Sequence, residues 1–263
     1  MSGEPSTSRR ERLTRERVLR AALAVADAEG LPALSMRRVA VELGVETMAL
    51  YRYTESKDDL LDGLVETLFM QVEERLSDAA RPDGARRPGG AEAPGGATVA
   101  LPELRDALHR IARELYRVAV EHPHVISLCA SRPLTVPLAR RPAAVLRVHE
   151  RLLTLFRAAG LDDGAALRTY RAFISWVLGY VVIDLRAVVD DPDEPDPAFR
   201  LGLHRLPARD FPLLRAYGPA LAERGGEEEL AAGLDALLTV LGPDTAGRGP
   251  AAGRSGRSRR APR

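Results

Sequence analysis

The chain has 263 residues, of which 45% are hydrophobic and 29% charged, and its formal net charge is +1. This length and apolar content suffice for one or two domains with a buried core, and the near-neutral charge excludes binding of nucleic acid by bulk charge alone. The single cysteine, Cys129, excludes an internal disulfide. The polar start of the chain and the lack of an 18-residue apolar run predict neither a signal peptide nor a membrane span, so we expect a cytoplasmic protein.

The first predicted helix follows a polar, basic arm at residues 1–12, which we expect to be disordered. Thr14 can cap a helix over Arg15–Glu29, and Gly30 can close it. Apolar residues recur along this segment at helical spacing and predict one buried face. That face comprises Val18, Ala22, Val25 and Ala26.

Two short predicted helices follow, joined by a tight turn. Ser35 is a suitable N-cap for the first of them, and Gly44 suits the left-handed position at its end. The second helix is predicted at about Glu46–Tyr53, with Leu50 pointing inward. Two helices joined by a short turn containing glycine are typical of the helix-turn-helix motif, whose second helix enters the DNA major groove.

The outward face of the second helix is unusual for a solvated helix. It carries small, aromatic and guanidinium groups where pairs of Glu and Lys are common. This composition favours contact with DNA, and the alternative is a helical hairpin packed into some other all-α core. The outward residues are Thr47, Met48, Ala49, Tyr51, Arg52 and Tyr53.

After these two short helices, a long helix is predicted from Ser56 to about residue 79, because Ser56 and Asp59 have the spacing of a capping box. The DNA-binding domain would then span residues 13–57, with this helix leading out of it. Lys57 is the sole lysine of the chain and lies in the first turn, where its ammonium can meet a phosphate. The alternative is that one lysine survived by chance in an arginine-rich composition.

The rest of the chain predicts a flexible linker at residues 80–100, a helical domain at 101–243 and a disordered tail at 244–263 that carries six arginines. Pro102 suits the first turn of the first helix of this domain. The predicted helices lie at about 102–121, up to 129, 142–159, 163–189, 210–224 and 227–241.

The predicted helix 163–189 is apolar almost all round. A helix with this pattern must be covered on every side, which one subunit of this size can hardly do. We therefore expect a homodimer in which helix 163–189 forms the interface, with Val177 and Val181 in it. The alternative is a large core within one subunit.

The segment from Thr14 to Phe69 resembles the DNA-binding domain of the TetR (tetracycline-repressor) family of bacterial regulators. The matching pieces are LSMRRVAVELGV and ALYRYTESKDDLLDGLVE, and the segment from Leu50 to Lys57 is the most specific. The C-terminal half is similar to the regulatory domain of the same family in the order ASRPLT, FISWVLGYVVIDL and FPLLRAYGPAL.

The resemblance implies an all-α fold with a three-helix DNA-binding domain and a helical domain for ligand binding and dimerisation. It also implies a homodimer through a four-helix bundle made by helices 163–189 and 227–241. It implies that the outward residues of the second helix face the groove, and that Arg37 and Lys57 contact a base or phosphates. The candidate DNA-binding residues are Ser35, Arg37, Thr47, Met48, Ala49, Tyr51, Arg52, Tyr53 and Lys57.

The resemblance also implies an inducer pocket in each regulatory domain. The positions that would hold magnesium-linked groups are Glu73, Leu128 and Ile183, and two of these are apolar, so we expect no metal and no cofactor. We expect a largely apolar pocket with Arg132 as a polar anchor, although each residue could equally pack in the core. The candidate ligand-binding residues are Leu68, Ile111, Leu115, Leu128, Arg132, Trp176 and Tyr180.

These observations predict a transcriptional repressor that a small, largely apolar molecule releases from a palindromic operator in double-stranded DNA. One alternative is a regulator or activator that has no small-molecule inducer. A second is an all-α enzyme, which the sequence disfavours because its five histidines lack a paired nucleophile and it has no Gly-rich phosphate loop.

Overall fold

The computed structural model describes residues 12–78, 99–132, 137–185, 195–196, 199 and 202–241. Regular structure in these ranges is entirely helical, which confirms the predicted all-α fold. The predicted arm, most of the linker, the tail and the end of helix 163–189 lie outside the described residues. The helices are α1 Arg15–Glu29, α2 Met36–Leu43, α3 Thr47–Leu50, α4 Lys57–Asp78, α5 Leu101–Glu121, α6 Ile126–Ser131, α7 Ala143–Ala158, α8 Asp163–Leu185, α9 Pro212–Ala222 and α10 Gly226–Leu241.

The ends of α1 and α2 follow from short-range capping chemistry. The Thr14 hydroxyl accepts a hydrogen bond from the Arg17 amide at 3.2 Å, and the Ser35 hydroxyl accepts one from the Arg38 amide at 3.1 Å. Gly44 ends α2 in the left-handed region with φ of 64°. These caps satisfy amides and carbonyls that a helix leaves unpaired at its ends. The caps predicted at Thr14, Ser35 and Gly44 are therefore confirmed.

The second helix of the motif is shorter than the predicted range 46–53. It forms one helical turn, Thr47–Leu50, and residues 51–53 continue as a hydrogen-bonded turn. The Leu50 carbonyl accepts hydrogen bonds from the amides of both Tyr53 and Thr54, at 2.8 and 3.0 Å. This tight turn buries Leu50 and Thr54 together and directs the chain into α4.

The N-terminal bundle consists of α1, α2, α3 and the first half of α4. Gly63 of α4 lies so close to Leu19 of α1 that an added Cβ would overlap the leucine side chain. The two helices therefore pack closely over a small core. None of the fully buried side chains described in this core is aromatic. These side chains include Val18, Ala22, Leu34, Val39, Leu50, Leu60 and Leu64.

Helix α4 also belongs to the C-terminal bundle, which contains its second half together with α5, α6, α7, α8 and α10. Arg75 of α4 pairs with Glu121 of α5 at 2.6 Å, and Arg147 of α7 pairs with Glu73 of α4 at 2.8 Å. His122, at the end of α5, contacts Asp27 of α1 at 2.8 Å. The two bundles are thus joined by one continuous helix and by polar contacts beside it.

Helix α8 has one buried stripe rather than being covered on all sides. Val177 and Val181 are 1% and 0% exposed within a single subunit, where α8 packs against α5, α6, α7 and α10. The expectation that these two valines lie in a dimer interface is therefore wrong. Ile183, on another face of the same helix, is 77% exposed.

Helices α9 and α10 complete the described part of the chain. Leu230 and Leu234 of α10 are buried, and Gly233 receives the indole ring of Trp176 from α8. Helix α9 is exposed along most of its length, including Leu213, Tyr217 and Leu221. Among the described helices, none is both long and apolar enough to cross a membrane.

Candidate DNA-binding surface and ligand cavity

The candidate DNA-binding residues lie at the surface of the N-terminal bundle. Met48 is 73% exposed, and Tyr51 is also exposed despite its size. An open groove lies between α3 and the start of α1, with Arg17 and Arg52 among its lining residues. The structure leaves Ser35, Arg37, Met48, Tyr51, Arg52 and Lys57 exposed and Thr47, Ala49 and Tyr53 half-buried.

Two adjacent arginines on α2 have different surroundings. Arg38 donates hydrogen bonds to Glu29 at 2.6 Å and to Glu42 at 2.9 Å, and Glu29 is the main cause of a raised pKa for its guanidinium. Arg37 is exposed and has no ion pair with a described residue, and the same holds for Arg52 and Lys57. Arg38 therefore stabilises the motif through its two ion pairs. Arg37, Arg52 and Lys57 remain available to a phosphate or a base.

Ser35 caps α2, and because it is also exposed it can still contact DNA. Its hydroxyl oxygen already accepts the Arg38 amide, and its neighbour Met36 is buried. The hydroxyl proton is still available to donate.

Two adjoining cavities lie in the C-terminal bundle between α4, α5, α6, α7 and α8. The outer cavity has a volume of about 100 Å³ and the inner one about 20 Å³. They are adjacent, because they share four lining residues: Phe69, His149, Ile174 and Leu178. Other apolar side chains, such as Val65 and Val145, line the outer cavity.

Polar groups in the outer cavity come from four helices and the loop before α7. His149 Nδ1 and the Tyr170 hydroxyl are 3.1 Å apart, and the two rings meet edge to face. Burial, followed by the nearby charge of Arg141, lowers the pKa of His149 and favours the neutral ring. Burial raises the pKa of the Cys129 thiol to about 12, so this cysteine is not a thiolate nucleophile near neutral pH.

Arg132 joins the outer cavity to the beginning of α4. Its Nε donates to Asp62 Oδ1 at 2.7 Å, and its Nη1 donates to Asp58 Oδ1 at 3.1 Å. Its Nη2 donates to the Asp58 carbonyl at 3.1 Å. The side chain is only 18% exposed, and the hydrogen bond to Asp62 is the main cause of its raised pKa. Arg132 and Asp62 both line the outer cavity.

The structure divides the predicted ligand-binding residues into two groups. Arg132 lines the outer cavity, and Ile111 and Leu115 line the inner one. The others lie on neither lining: Leu68, Leu128, Trp176 and Tyr180. Leu68 and Leu128 are core residues, whereas the Tyr180 hydroxyl donates to the Gly226 carbonyl and so fastens α8 to α10.

Sequence reasoning missed the polar lining residues Arg141, His149 and Tyr170. A signal for His149 exists, because it falls within the apolar stripe of α7 between Val145 and Leu152. A polar residue on the buried face of an amphipathic helix commonly has a hydrogen-bonding partner or a ligand.

The three positions linked to magnesium by the resemblance have different surroundings. Glu73 forms its ion pair with Arg147, Leu128 is a core residue, and Ile183 points outward. Within the described part of the chain, no group of three or more His, Cys, Asp and Glu residues is arranged to hold a metal ion.

Comparison with known proteins identifies the family. Residues 18–64 match the family described as bacterial regulatory proteins, tetR family, and residues 100–241 match the tetracyclin repressor-like C-terminal domain. The chain belongs to the TetR family. It is a DNA-binding transcriptional regulator rather than an enzyme, as predicted.

Curated TetR-type relatives match most of the chain. The HTH-type transcriptional repressor DrrR1 of Streptomyces coeruleorubidus is 34% identical over 243 residues, which cover 92% of this chain and 74% of that protein. An HTH-type transcriptional regulator of Saccharopolyspora erythraea is 27% identical over 209 residues, which cover 79% of this chain and 76% of that protein.

Solved structures share the TetR fold with this chain. A possible TetR family transcriptional regulator of Streptomyces coelicolor A3(2) is 26% identical with a TM-score of 0.65, covering 86% of this chain and 98% of its own. ActR of Streptomyces coelicolor, solved in complex with actinorhodin, is 24% identical with a TM-score of 0.63 and covers 90% of this chain and 100% of its own.

Proposed function

We propose that this regulator is a repressor which a small, largely apolar molecule releases from a palindromic operator. The proposal is supported by the position of α4, which runs from the DNA-binding surface to the cavity. Its first residue, Lys57, belongs to the exposed cationic surface, and Asp62, Val65 and Phe69 one to three turns later line the outer cavity. A ligand that widens the cavity therefore pushes on the helix that supports the DNA-binding surface. The name of the relative DrrR1 supports repression.

The DNA-binding surface offers both kinds of contact that sequence-specific recognition needs. The Arg52 guanidinium can donate to guanine O6 and N7, and Met48 or Ala49 can meet a thymine methyl. Arg37 and Lys57 are suited to phosphates, which fix position without specifying sequence. Such a surface works in the compartment that holds the DNA, which in bacteria is the cytoplasm.

A homodimer through α8 and α10 would present two such surfaces to the two halves of a palindrome. Ile183 on α8 is exposed although it is strongly apolar, and nearby Ser175 and Gly179 are small enough to let a second helix approach. The exposed face of α10 beyond Glu229 carries Ala232 and Ala236. These residues support a packed helical interface rather than a solvated surface.

The apolar walls of the cavity support a largely apolar effector. Val65, Phe69, Val145, Ile174 and Leu178 line its outer part, and His149 is the polar member of the inner lining. ActR, solved with actinorhodin bound, is an example of this fold holding a small molecule.

A second candidate is a TetR-family regulator without an inducer. The observation in its favour is the cavity volume of about 100 Å³, because drug-sized ligands commonly occupy about 300–1,000 Å³. A ligand of that size must widen the cavity by moving α4, α7 or α8. If no molecule that binds the cavity releases the protein from its operator, this second candidate is correct.

The DNA-binding proposal is tested by selecting duplexes from a random library with the full chain and then titrating variants of the selected site. We expect a palindromic site. Lys57→Ala should weaken binding to all duplexes similarly and lower the salt dependence by roughly one unit for each phosphate that the protein no longer neutralises. Arg52→Ala should relax the preference at one base position per half-site, at a cost of about 1–3 kcal/mol.

Arg38→Ala is the matched control for these substitutions, because it removes an arginine of the same motif whose partners are Glu29 and Glu42. It should leave the base preference unchanged. An Arg52→Ala variant that kept the complete preference profile would show that the base contact belongs to another residue, such as Thr47 or Tyr51.

A further inference from the structure

We propose that the effector of this regulator carries an acidic group, and that this group binds Arg132 in place of Asp62 and so detaches the end of α6 from the start of α4. The inference rests on the proposed ligand response and specifies the chemical class of its ligand. The supporting observation is that Arg132 lines the outer cavity and also bonds to the first turns of α4.

The charges that line the outer cavity favour an anion. Arg132 and Arg141 are cationic, Asp62 is the acidic lining residue, and burial keeps His149 neutral near pH 7. An acid that enters this space therefore meets two guanidinium groups on the lining. A cationic ligand would be repelled by both guanidinium groups.

The shape of the Arg132 contacts fits an oxyacid. A guanidinium presents its N–H groups as a planar fork that matches the two oxygens of a carboxylate or a related group. At present this fork is divided between Asp62 and Asp58. Asp58 is 80% exposed and so its carboxylate is largely solvated, which makes the half-buried Asp62 the main competitor of an incoming acid.

Exchange of one carboxylate for another at Arg132 supplies little net free energy, because the same kind of hydrogen bond is broken and formed. The driving force must come from the rest of the ligand, which would bury an apolar body against Val65, Phe69, Ile174 and Leu178. The ligand class is therefore an aromatic or alicyclic acid with its acidic group toward α6 and its body toward α8.

The exchange affects DNA binding because of where the Arg132 bonds are made. Asp58 follows Lys57 directly and lies five residues after Tyr53, and Arg132 holds both its side chain and its carbonyl. A ligand acid that draws the Arg132 guanidinium away from Asp62 and into the cavity also breaks its bonds to Asp58, which frees the first turn of α4 to move relative to α6. The position of the α3 turn and of Lys57 then ceases to be fixed by the C-terminal bundle.

The test uses two fluorescent probes with nearly the same aromatic body. Anilinonaphthalene sulfonate carries an acidic group, and N-phenylnaphthylamine does not. Arg132→Gln should weaken binding of the sulfonate by about tenfold or more and change binding of the naphthylamine by less than about twofold, since hydrogen bonds between charged groups are the strong ones. Asp62→Asn should tighten binding of the sulfonate severalfold, because the competing carboxylate is gone.

Arg151→Gln is the control, because Arg151 is an exposed arginine of α7 that does not line either cavity. Both probes can also bind exposed apolar surface such as α9, so the ratio of their affinities is the deciding quantity. Equal changes for both probes, or a sulfonate affinity that Arg132→Gln leaves intact, would overturn the inference. If Arg132→Gln fails to fold, Asp62→Asn decides alone, and an unchanged or weaker sulfonate affinity overturns it.

The selected duplex separates this inference from the proposed function. We expect the sulfonate to release the duplex from the wild-type protein more effectively than the naphthylamine, and Arg132→Gln to remove the difference. If both probes release the duplex equally, the ligand response stands and the acidic group is wrong. If both probes bind the cavity and neither releases the duplex, the ligand response itself fails.

Discussion

His149 has an unusual position for an ionisable side chain, because it lines both parts of the cavity and contacts only one polar partner among the described residues, Tyr170. Burial disfavours its charged form, and the charge of Arg141 acts in the same direction. A neutral ring that accepts a hydrogen bond from the Tyr170 hydroxyl at Nδ1 carries its own proton on Nε2. That N–H can serve a ligand as a donor.

The lowered pKa of His149 predicts a pH dependence of stability. Its folded-state pKa lies below its unfolded value of about 6.5, so below that pH the unfolded chain binds the proton more readily. The contribution of neutral His149 is complete above about pH 6.5 and declines as the pH falls toward the folded-state pKa. Through this one group, the free energy of unfolding can change by at most about 1.4 kcal/mol per pH unit.

Urea unfolding of the wild-type protein and of His149→Gln at pH 7.5 and 5.5 measures this effect. We expect the wild-type protein to lose more free energy of unfolding than the variant between the two pH values, since other titrating groups contribute to both. Equal losses would mean that His149 is protonated as easily in the folded protein as in the unfolded chain.

At the scale of single helices, α8 and α10 are held together by the fit of one aromatic ring to one glycine. Trp176 lies over Gly233, and a Cβ at that position would overlap the indole ring. Tyr180 packs beside the indole with the ring centroids 5.8 Å apart, and its hydroxyl bonds to Gly226. Gly233 thus allows a large side chain to lie between two close helices.

Gly233→Ala should destabilise the protein by about 1–3 kcal/mol through overpacking, although alanine is the better helix former. Trp176 is the only tryptophan of the chain, so its emission reports the displacement of the ring directly. Arg151→Ala is the control, because Arg151 is an exposed position of α7 that belongs neither to this contact nor to the proposed interface of α8 and α10. An unchanged emission maximum in Gly233→Ala would contradict the close packing.

Elements whose ends depend on local chemistry could be predicted from the sequence, and those that depend on distant neighbours could not. Thr14, Ser35 and Gly44 act within a few residues of themselves, and α1 begins and ends where its sequence indicates. The end of α3 depends on the burial of Leu50 and Thr54 against other helices, so its predicted length was wrong.

The candidate site follows the same division. The exposed residues of the helix-turn-helix could be identified because their composition departs from that of a solvated helix. The cavity depends on the packing of α4, α6, α7 and α8, which a linear pattern does not contain. Arg132 was found because it stands beside a recognisable motif, and Arg141 was missed because nothing near it in the sequence marks a lining position.

At the scale of the whole molecule, the proposed dimer depends on the faces of α8 and α10 that remain exposed in one subunit. The buried stripe that includes Val177 fills the subunit core, so Val177→Arg would unfold the chain and would not report on association. Ile183 is the informative position, because a charge there is solvated in the monomer and buried only if a second subunit covers it.

Ile183→Arg should therefore convert the dimer into a folded monomer, since an unpaired charge in an interface costs several kcal/mol. Light scattering gives the mass, and thermal unfolding shows whether the subunit remains folded. Met70→Arg is the control, because Met70 is an exposed apolar residue on α4, away from the proposed interface. A dimeric Ile183→Arg variant would place the interface elsewhere.

In the proposed function, the DNA-binding surface and the cavity are coupled through α4. The most direct test is the affinity of anilinonaphthalene sulfonate for the full chain, measured with and without a saturating amount of the selected duplex. Coupling between two sites is reciprocal, so the duplex should lower the sulfonate affinity by the same factor by which the sulfonate lowers the duplex affinity, commonly about 5–150-fold. Equal sulfonate affinities with and without the duplex would contradict the coupling.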